Sequence, residues 1–333
     1  MRIAPLLLLL SACGRREQPA PAGADAGPTC PSAEPSTCFD RGVSRVEQDP
    51  AGAAEMFRLA CEGGVPAACN NLGNLYEEGR GVKADAKHAR ALYERACNEK
   101  SAHGCNSLAA MHDAGKHLKA DPKKAFSLYD KACGLGHAQA CHAVGMAYAN
   151  GRGVDPDKSR AMEYWEKACS AGVDAACASL GVNLMLGLDD IPVDIERGRK
   201  LLSDACRANH APACKDLAGF HLSGQLPWSD PKKGVILLRN ACTLGYAEGC
   251  NDLGVAYAQG TGTKLDLVEA AKSFERACDL GSMNGCSNLG VAALEGEGVR
   301  RDAKRAAKLF AKACKAGHEQ SCELRDELDA GTP

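Results

Sequence analysis

Between Cys69 and Cys97 the apolar residues form two helical stripes separated by one turn. Leu72, Gly73 and Tyr76 stand at i, i+1 and i+4, the spacing of one face of a helix. Gly79 falls where that helix ends, because a left-handed residue past the last turn is cheapest as glycine. The turn Gly-x-Gly-Val (79–82) leads to Asp85, whose carboxylate can accept the free amides of a second helix. This second helix is expected to run about one and a half dozen residues, past Ala89, Tyr93 and Cys97. One unit is thus a hairpin of helix A and helix B, with a small residue on A that admits a neighbouring helix.

The same pattern recurs along the chain. Asp stands twelve residues before a cysteine at 49, 85, 121, 157, 194, 230, 266 and 302, and Pro50, Pro122 and Pro231 take the favoured first helical position behind it. Gly follows ten residues after the next cysteine at 79, 115, 151, 187, 224, 260 and 296. The small residue of helix A recurs as Ala109, Gly145, Gly181, Ala218, Gly254 and Gly290. The period is 36, with one step of 37 between Cys169 and Cys206. Such a period marks a solenoid and overrides the two or three domains that 333 residues would otherwise suggest. The expected fold is all-α, a right-handed superhelical solenoid of about eight antiparallel helix pairs.

Composition narrows the picture. Aromatic residues are 5% of the chain, Gly counts 36 and Cys 19, which suits close-packed helices better than a sheet enzyme. The net charge of −2 includes no basic block, so nucleic acid is a poor partner. So many cysteines point to an oxidising compartment. After Cys13 every cysteine belongs to a pair eight apart: Cys30–Cys38, Cys61–Cys69, Cys97–Cys105, Cys133–Cys141, Cys169–Cys177, Cys206–Cys214, Cys242–Cys250, Cys278–Cys286 and Cys314–Cys322. Along one helix such a pair would stand about 12 Å apart, beyond disulfide reach. Gly or another loop residue lies between the members, however, so the chain reverses there and the local bond becomes the natural one. Each such loop is worth roughly 2–3 kcal/mol in the chain-entropy model. Zinc is the competing reading, but the pairs lie too far apart along the array to gather four ligands, and C-x7-C is not a usual ligand spacing.

Met1-Arg2 followed by the apolar run from Ile3 to Leu10 is too short to span a bilayer and has the parts of a secretory signal. Leu10-Ser11-Ala12-Cys13 resembles the bacterial lipobox, which implies a signal peptide at 1–12 and lipidation of Cys13. Gly14, rather than Asp, resembles outer-membrane sorting; an ordinary cleaved signal is the alternative. Residues 13–37 then read as a lipidated Cys and a flexible Pro/Ala/Gly-rich tether, 38–326 as the solenoid, and 327–333 as a disordered tail. This places the protein in the bacterial cell envelope, on its periplasmic or surface face.

The motif Asp-x10-Ala-Cys-x2-Gly-x4-Cys-x2-Leu-Gly-x2-Tyr-x2-Gly resembles the Sel1-like repeat, and its cysteines resemble those of the Helicobacter cysteine-rich secreted proteins. The resemblance covers Cys38 to about Glu323. Departures are local: the first unit has a shortened turn, Leu184 and His221 replace Tyr in the fifth and sixth, and the turns there read Leu-Asp-Asp-Ile-Pro and Gln-Leu-Pro-Trp.

The resemblance implies either a protein- or peptide-binding scaffold or a β-lactam-binding hydrolase. By similarity to tetratricopeptide arrays, the residues one, five and eight after the second Cys line a concave face. They include Asn70, Asn74, Glu77, Asn106, Asp113, His142, Met146, Val182, Met185, Lys215 and Asn251. A serine β-lactamase needs Ser with Lys one turn on, and Ser229-Asp-Pro-Lys232 is the one Ser-x-x-Lys. No Ser-Asp-Asn or Lys-Thr-Gly follows, and Asp230 and Pro231 already serve as cap and first helical residue of a helix B. His112 and His221 take the place of the core Tyr, His137 and His318 sit in turns, and no His cluster has ligand spacing. The reading is a non-catalytic, lipid-anchored, monomeric scaffold without metal or cofactor.

Overall fold

The computed structural model describes residues 34–115, 117–187 and 192–331. Cys13 and Cys30 lie outside the described residues. Those described form two compact units, one ending at Glu99 and one beginning at Lys100. Their regular structure consists of seventeen helices and no strand. The first unit holds α1 (Pro35–Arg45), α2 (Pro50–Glu62), α3 (Pro66–Glu78) and α4 (Ala86–Asn98). The second begins with α5 (Ala102–Ala114), α6 (Pro122–Gly134), α7 (Ala138–Asn150), α8 (Lys158–Ser170), α9 (Asp174–Leu186) and α10 (Ile195–Arg207). It continues with α11 (Ala211–Leu222), α12 (Pro231–Thr243), α13 (Ala247–Gln259), α14 (Leu267–Asp279), α15 (Met283–Glu295), α16 (Ala303–Lys315) and α17 (Glu319–Gly331). Odd-numbered helices are helix A of each hairpin and even-numbered ones helix B. Within each unit, helices next in sequence pack on one another, as in a solenoid.

Two constant bonds make the hairpin. At the A-to-B turn the cap Asp uses both its side chain and its backbone. Asp157 Oδ1 accepts from the Arg160 N–H at 2.9 Å, while the Asp157 N–H donates to the Tyr148 carbonyl at 3.0 Å, tying helix B to the last turn of helix A. Asp85, Asp121, Asp194, Asp266 and Asp302 repeat that backbone bond. The sixth unit departs from it: the Asp230 N–H donates to His221 Nδ1 at 3.2 Å, so the histidine ring stands in for the carbonyl. At the B-to-A turns the alanine before the first Cys is completely or almost completely buried, and the carbonyls of Ala60, Ala132, Ala168, Ala205, Ala241, Ala277 and Ala313 accept the N–H five residues on, as from His137 to Ala132 at 3.0 Å. That bond, with the left-handed residue before it (Gly136, φ 94°), stops helix B early. Helix B has 13 residues in α4, α6 and their equivalents, shorter than its apolar pattern suggests.

The reversal brings the cysteines together. The seven bonds Cys61–Cys69, Cys133–Cys141, Cys169–Cys177, Cys206–Cys214, Cys242–Cys250, Cys278–Cys286 and Cys314–Cys322 join Cα atoms 4.4 to 4.7 Å apart. Cys38, Cys97 and Cys105 are disulfide-bonded as well.

Both ends are more helical than their composition suggests. α1 begins at Pro35, inside the stretch read as tether, because Cys38 and Gly42 are buried against Phe57 and its neighbours. α17 runs to Gly331, through most of the stretch read as tail; its Leu324 and Leu328 cover the cluster of Ala293, Ala306 and Phe310. In the last A–B hairpin, Phe310 lies flat on Gly290, where an added Cβ would stand 2.5 Å from the ring. Gly290→Ala is expected to lower stability by about 1–3 kcal/mol through overpacking, read by denaturant unfolding of the oxidised chain.

Candidate binding groove

The space between helix A and helix B of a hairpin needs a filler, and either helix can supply it. In α7–α8 and α13–α14 helix B does so: Trp165 lies on Gly145, and Phe274 on Gly254. In α9–α10 and α11–α12 the corresponding residues are Leu202 and Leu238, and helix A supplies a second filler. Met185 and Leu222, eight residues after the second Cys, reach onto Gly198 and Gly234 of helix B. A Cβ at either helix-B glycine would lie 2.5 Å and 2.6 Å from the incoming side chains.

In α7–α8 and α13–α14 helix B carries alanine there (Ala161, Ala270) and the helix-A position is also alanine (Ala149, Ala258), so no long side chain covers the aromatic. A groove opens at both places, about 530 Å³ beside Trp165 and about 220 Å³ beside Phe274. The larger groove runs over α7, α9 and α11. Trp165 and Ala161 form its floor, and Met146, Ala178, Val182 and Pro212 form apolar walls. Met146 is 39% exposed, a high value for so apolar a residue.

Polar groups stand around this floor. His142 Nε2 is 3.4 Å from Ser179 Oγ, and the Ser179 hydroxyl donates to the Ala175 carbonyl at 3.1 Å. Burial, and then the charge of His210, push the His142 imidazole below its ordinary pKa, so it is neutral at pH 7. His210 Nδ1 accepts the Ala213 N–H at 3.3 Å. Asp216, at the α11 end, is half-buried and held above the usual aspartate range by burial, against the opposing pull of Lys215. The Lys215 Nζ is 3.7 Å from the Asp216 carboxylate. Asp252 on α13 is raised in the same way. Among the described residues no group of three or more His, Cys, Asp and Glu is placed to hold a metal ion.

Of the residues singled out from sequence, His142, Met146 and Val182 meet in this groove. Met185 is buried with Leu202 and Leu217 as the filler of its own hairpin. Asn74 and Glu77 lie 2.7 Å and 3.0 Å from the hydroxyl of buried Tyr93, which burial and Glu77 keep protonated. Asn70 is buried beside them on α3. Asp113 forms an ion pair with Arg152 at 2.8 Å, and Asn106 is half-buried on α5. Asn251 is buried and accepts from Asn288 Nδ2 at 2.8 Å.

Ser229 is a turn residue: its hydroxyl donates to the Phe220 carbonyl and accepts the Leu226 N–H, both at 3.1 Å. The Lys232 backbone N–H donates to the cap Asp230. Trp228 in the same turn packs edge-on against His221, with Arg199 over its ring.

Sequence reasoning missed Ser179, Asn183, His210 and Asp216. Positions one, five and eight describe one wall only. The facing wall comes from positions two and six of α9, and from the cap and position two of α11. The pairing of Ala149 with Ala161 was the available signal for where the groove opens.

The Sel1 repeat family model matches residues 36–65, 66–101, 102–137, 138–173, 174–210, 211–246, 247–282 and 284–318. Among solved structures, the chain resembles a Sel1 repeat protein from Oxalobacter formigenes, with 25% identity and a TM-score of 0.65, covering 89% of this chain and 86% of that one. Helicobacter pylori cysteine rich protein B is 32% identical over 39% of this chain and 92% of its own, with a TM-score of 0.33. Yeast Tom70 shares the fold at 14% identity and a TM-score of 0.53, covering 89% of this chain and 64% of that one. A search of curated proteins finds no match.

Asp216 and Asp252 hold their protons to higher pH in the folded chain than in the unfolded one, so their contribution to stability falls as pH rises above the ordinary value of 3.8. Asp216→Asn and Asp252→Asn are therefore expected to raise the Tm at pH 7 by about 1–2 °C each. The gain should fade as the pH is lowered towards 3.8 in a series of thermal melts.

Proposed function

The chain belongs to the Sel1 repeat family, and on that premise we propose that it is a non-catalytic scaffold holding a protein or peptide segment against its odd-numbered helices. One observation carries the reading: an open, apolar-floored groove at α7–α9–α11, edged by neutral and charged hydrogen-bonding groups, with a smaller counterpart at α13–α15. Binding sites are typically apolar concavities with a few placed polar groups. An exposed methionine suits contact with varied side chains. The proposed setting is the bacterial cell envelope, with the chain anchored through lipid on Cys13. The lipobox-like Leu10-Ser11-Ala12-Cys13 and the disulfide-bonded cysteines both support export to an oxidising compartment.

A photo-cross-linking residue placed at Met146 or at Val255, in cells exporting the full chain, tests this reading. Discrete adducts are expected from both positions and none from Ile236, which is 62% exposed on α12. Equal adducts from Ile236, or none from Met146, would count against it. The hydrolase alternative has no support from Ser229, whose hydroxyl is held in its turn. Purified oxidised protein and its Ser229→Ala variant are expected to leave nitrocefin unhydrolysed above buffer, and turnover lost in the variant would reverse that conclusion.

A further inference from the structure

The larger groove is electrically uneven. At the α8 end stands Lys158. At the α11 end stands Asp216, and beyond it on α13 are Glu248 and Asp252, close enough for both Asp216 and Glu248 to act on Asp252. All three carboxylates are half-buried. The lysine that answers them is Lys215, which acts on both aspartates. His210 adds to its effect at Asp216, and His142, on the far wall, is neutral at pH 7. Asn251 and Asn284 donate hydrogen bonds to Asp252 and Glu248 at 3.3 and 3.4 Å but carry no charge. Three acidic groups against one lysine and one histidine, in partly desolvated surroundings, leave negative potential beside an apolar floor.

We propose that this groove takes an extended peptide segment in which an apolar side chain seats beside Trp165 and a lysine or arginine, a few residues along, pairs with Asp216. The proposal rests on the scaffold reading and adds the chemistry of the partner. The apolar side chain fills the place that Met185 and Leu222 fill in the two closed hairpins. The basic side chain supplies the charge that Lys215 alone does not balance. A peptide with glutamate in its place meets the same field with the wrong sign.

The test uses the full oxidised chain and three sets of labelled eight-residue peptides, acetylated and amidated, built on Gly and Ser. Each set carries one Leu with Lys, Gln or Glu placed two to four residues after it. Binding is read by anisotropy, and by emission of Trp165 in a Trp228→Phe background, where it is the remaining tryptophan. The Lys set is expected to bind about tenfold tighter than the Gln set, with the Glu set weakest, and the difference should shrink as salt is added. Asp216→Asn with Asp252→Asn should bring the Lys and Gln sets level. Ala149→Met with Ala161→Gly, which copies the closed hairpins, should abolish binding of all sets while leaving the helical circular dichroism unchanged. Equal binding of the three sets would overturn the proposal and leave the scaffold reading standing. Absence of binding by every set would also overturn it, and cross-linking at Met146 would then show whether the scaffold reading falls with it.

Discussion

Two helices packed as a hairpin leave a space that has to be filled, since an unfilled space forfeits dispersion contacts and costs stability. This chain fills it in two ways. Trp165 or Phe274 from helix B lies on a glycine of helix A, or Met185 or Leu222 from helix A lies on a glycine of helix B. The second arrangement covers the hairpin and the first leaves it open when position eight is alanine. Where a groove opens thus follows from how the chain solves a packing problem in each hairpin.

Hairpins, caps and cysteine pairs were legible in the sequence because each answers a local backbone requirement. An aspartate caps every helix B, and a left-handed glycine ends helix A in every described hairpin from α3 onward except α11–α12. These needs are the same in every unit, so they appear as a period. The length of helix B was less legible, because its apolar pattern continues through Ala-Cys while a single bond from His137 to the Ala132 carbonyl, or its equivalent, turns the chain. The helical ends were not legible either. Leu324 and Leu328 look like stray apolar residues until the exposed side of the last hairpin gives them something to cover.

The groove was the least legible feature, for the opposite reason. It depends on differences between units rather than on what they share. Ala149, Ala161 and Trp165 are each unremarkable in the repeat; only read together, across two helices, do they describe an open trough. Its facing wall comes from Ser179 and Asn183, a further helix away. A repeat consensus averages over such combinations, and its strongest positions therefore mark the framework and not the groove.

The eight-residue disulfide loops have a consequence for how the chain can change. Each of the seven described bonds spans one turn between a helix B and the next helix A, so none of them joins distant repeats. An in-frame gain or loss of 36 residues moves a whole pair at once and leaves no odd thiol behind. Array length, and with it the number and order of open and closed hairpins, is free to vary between related chains without disturbing the oxidation of any one of them.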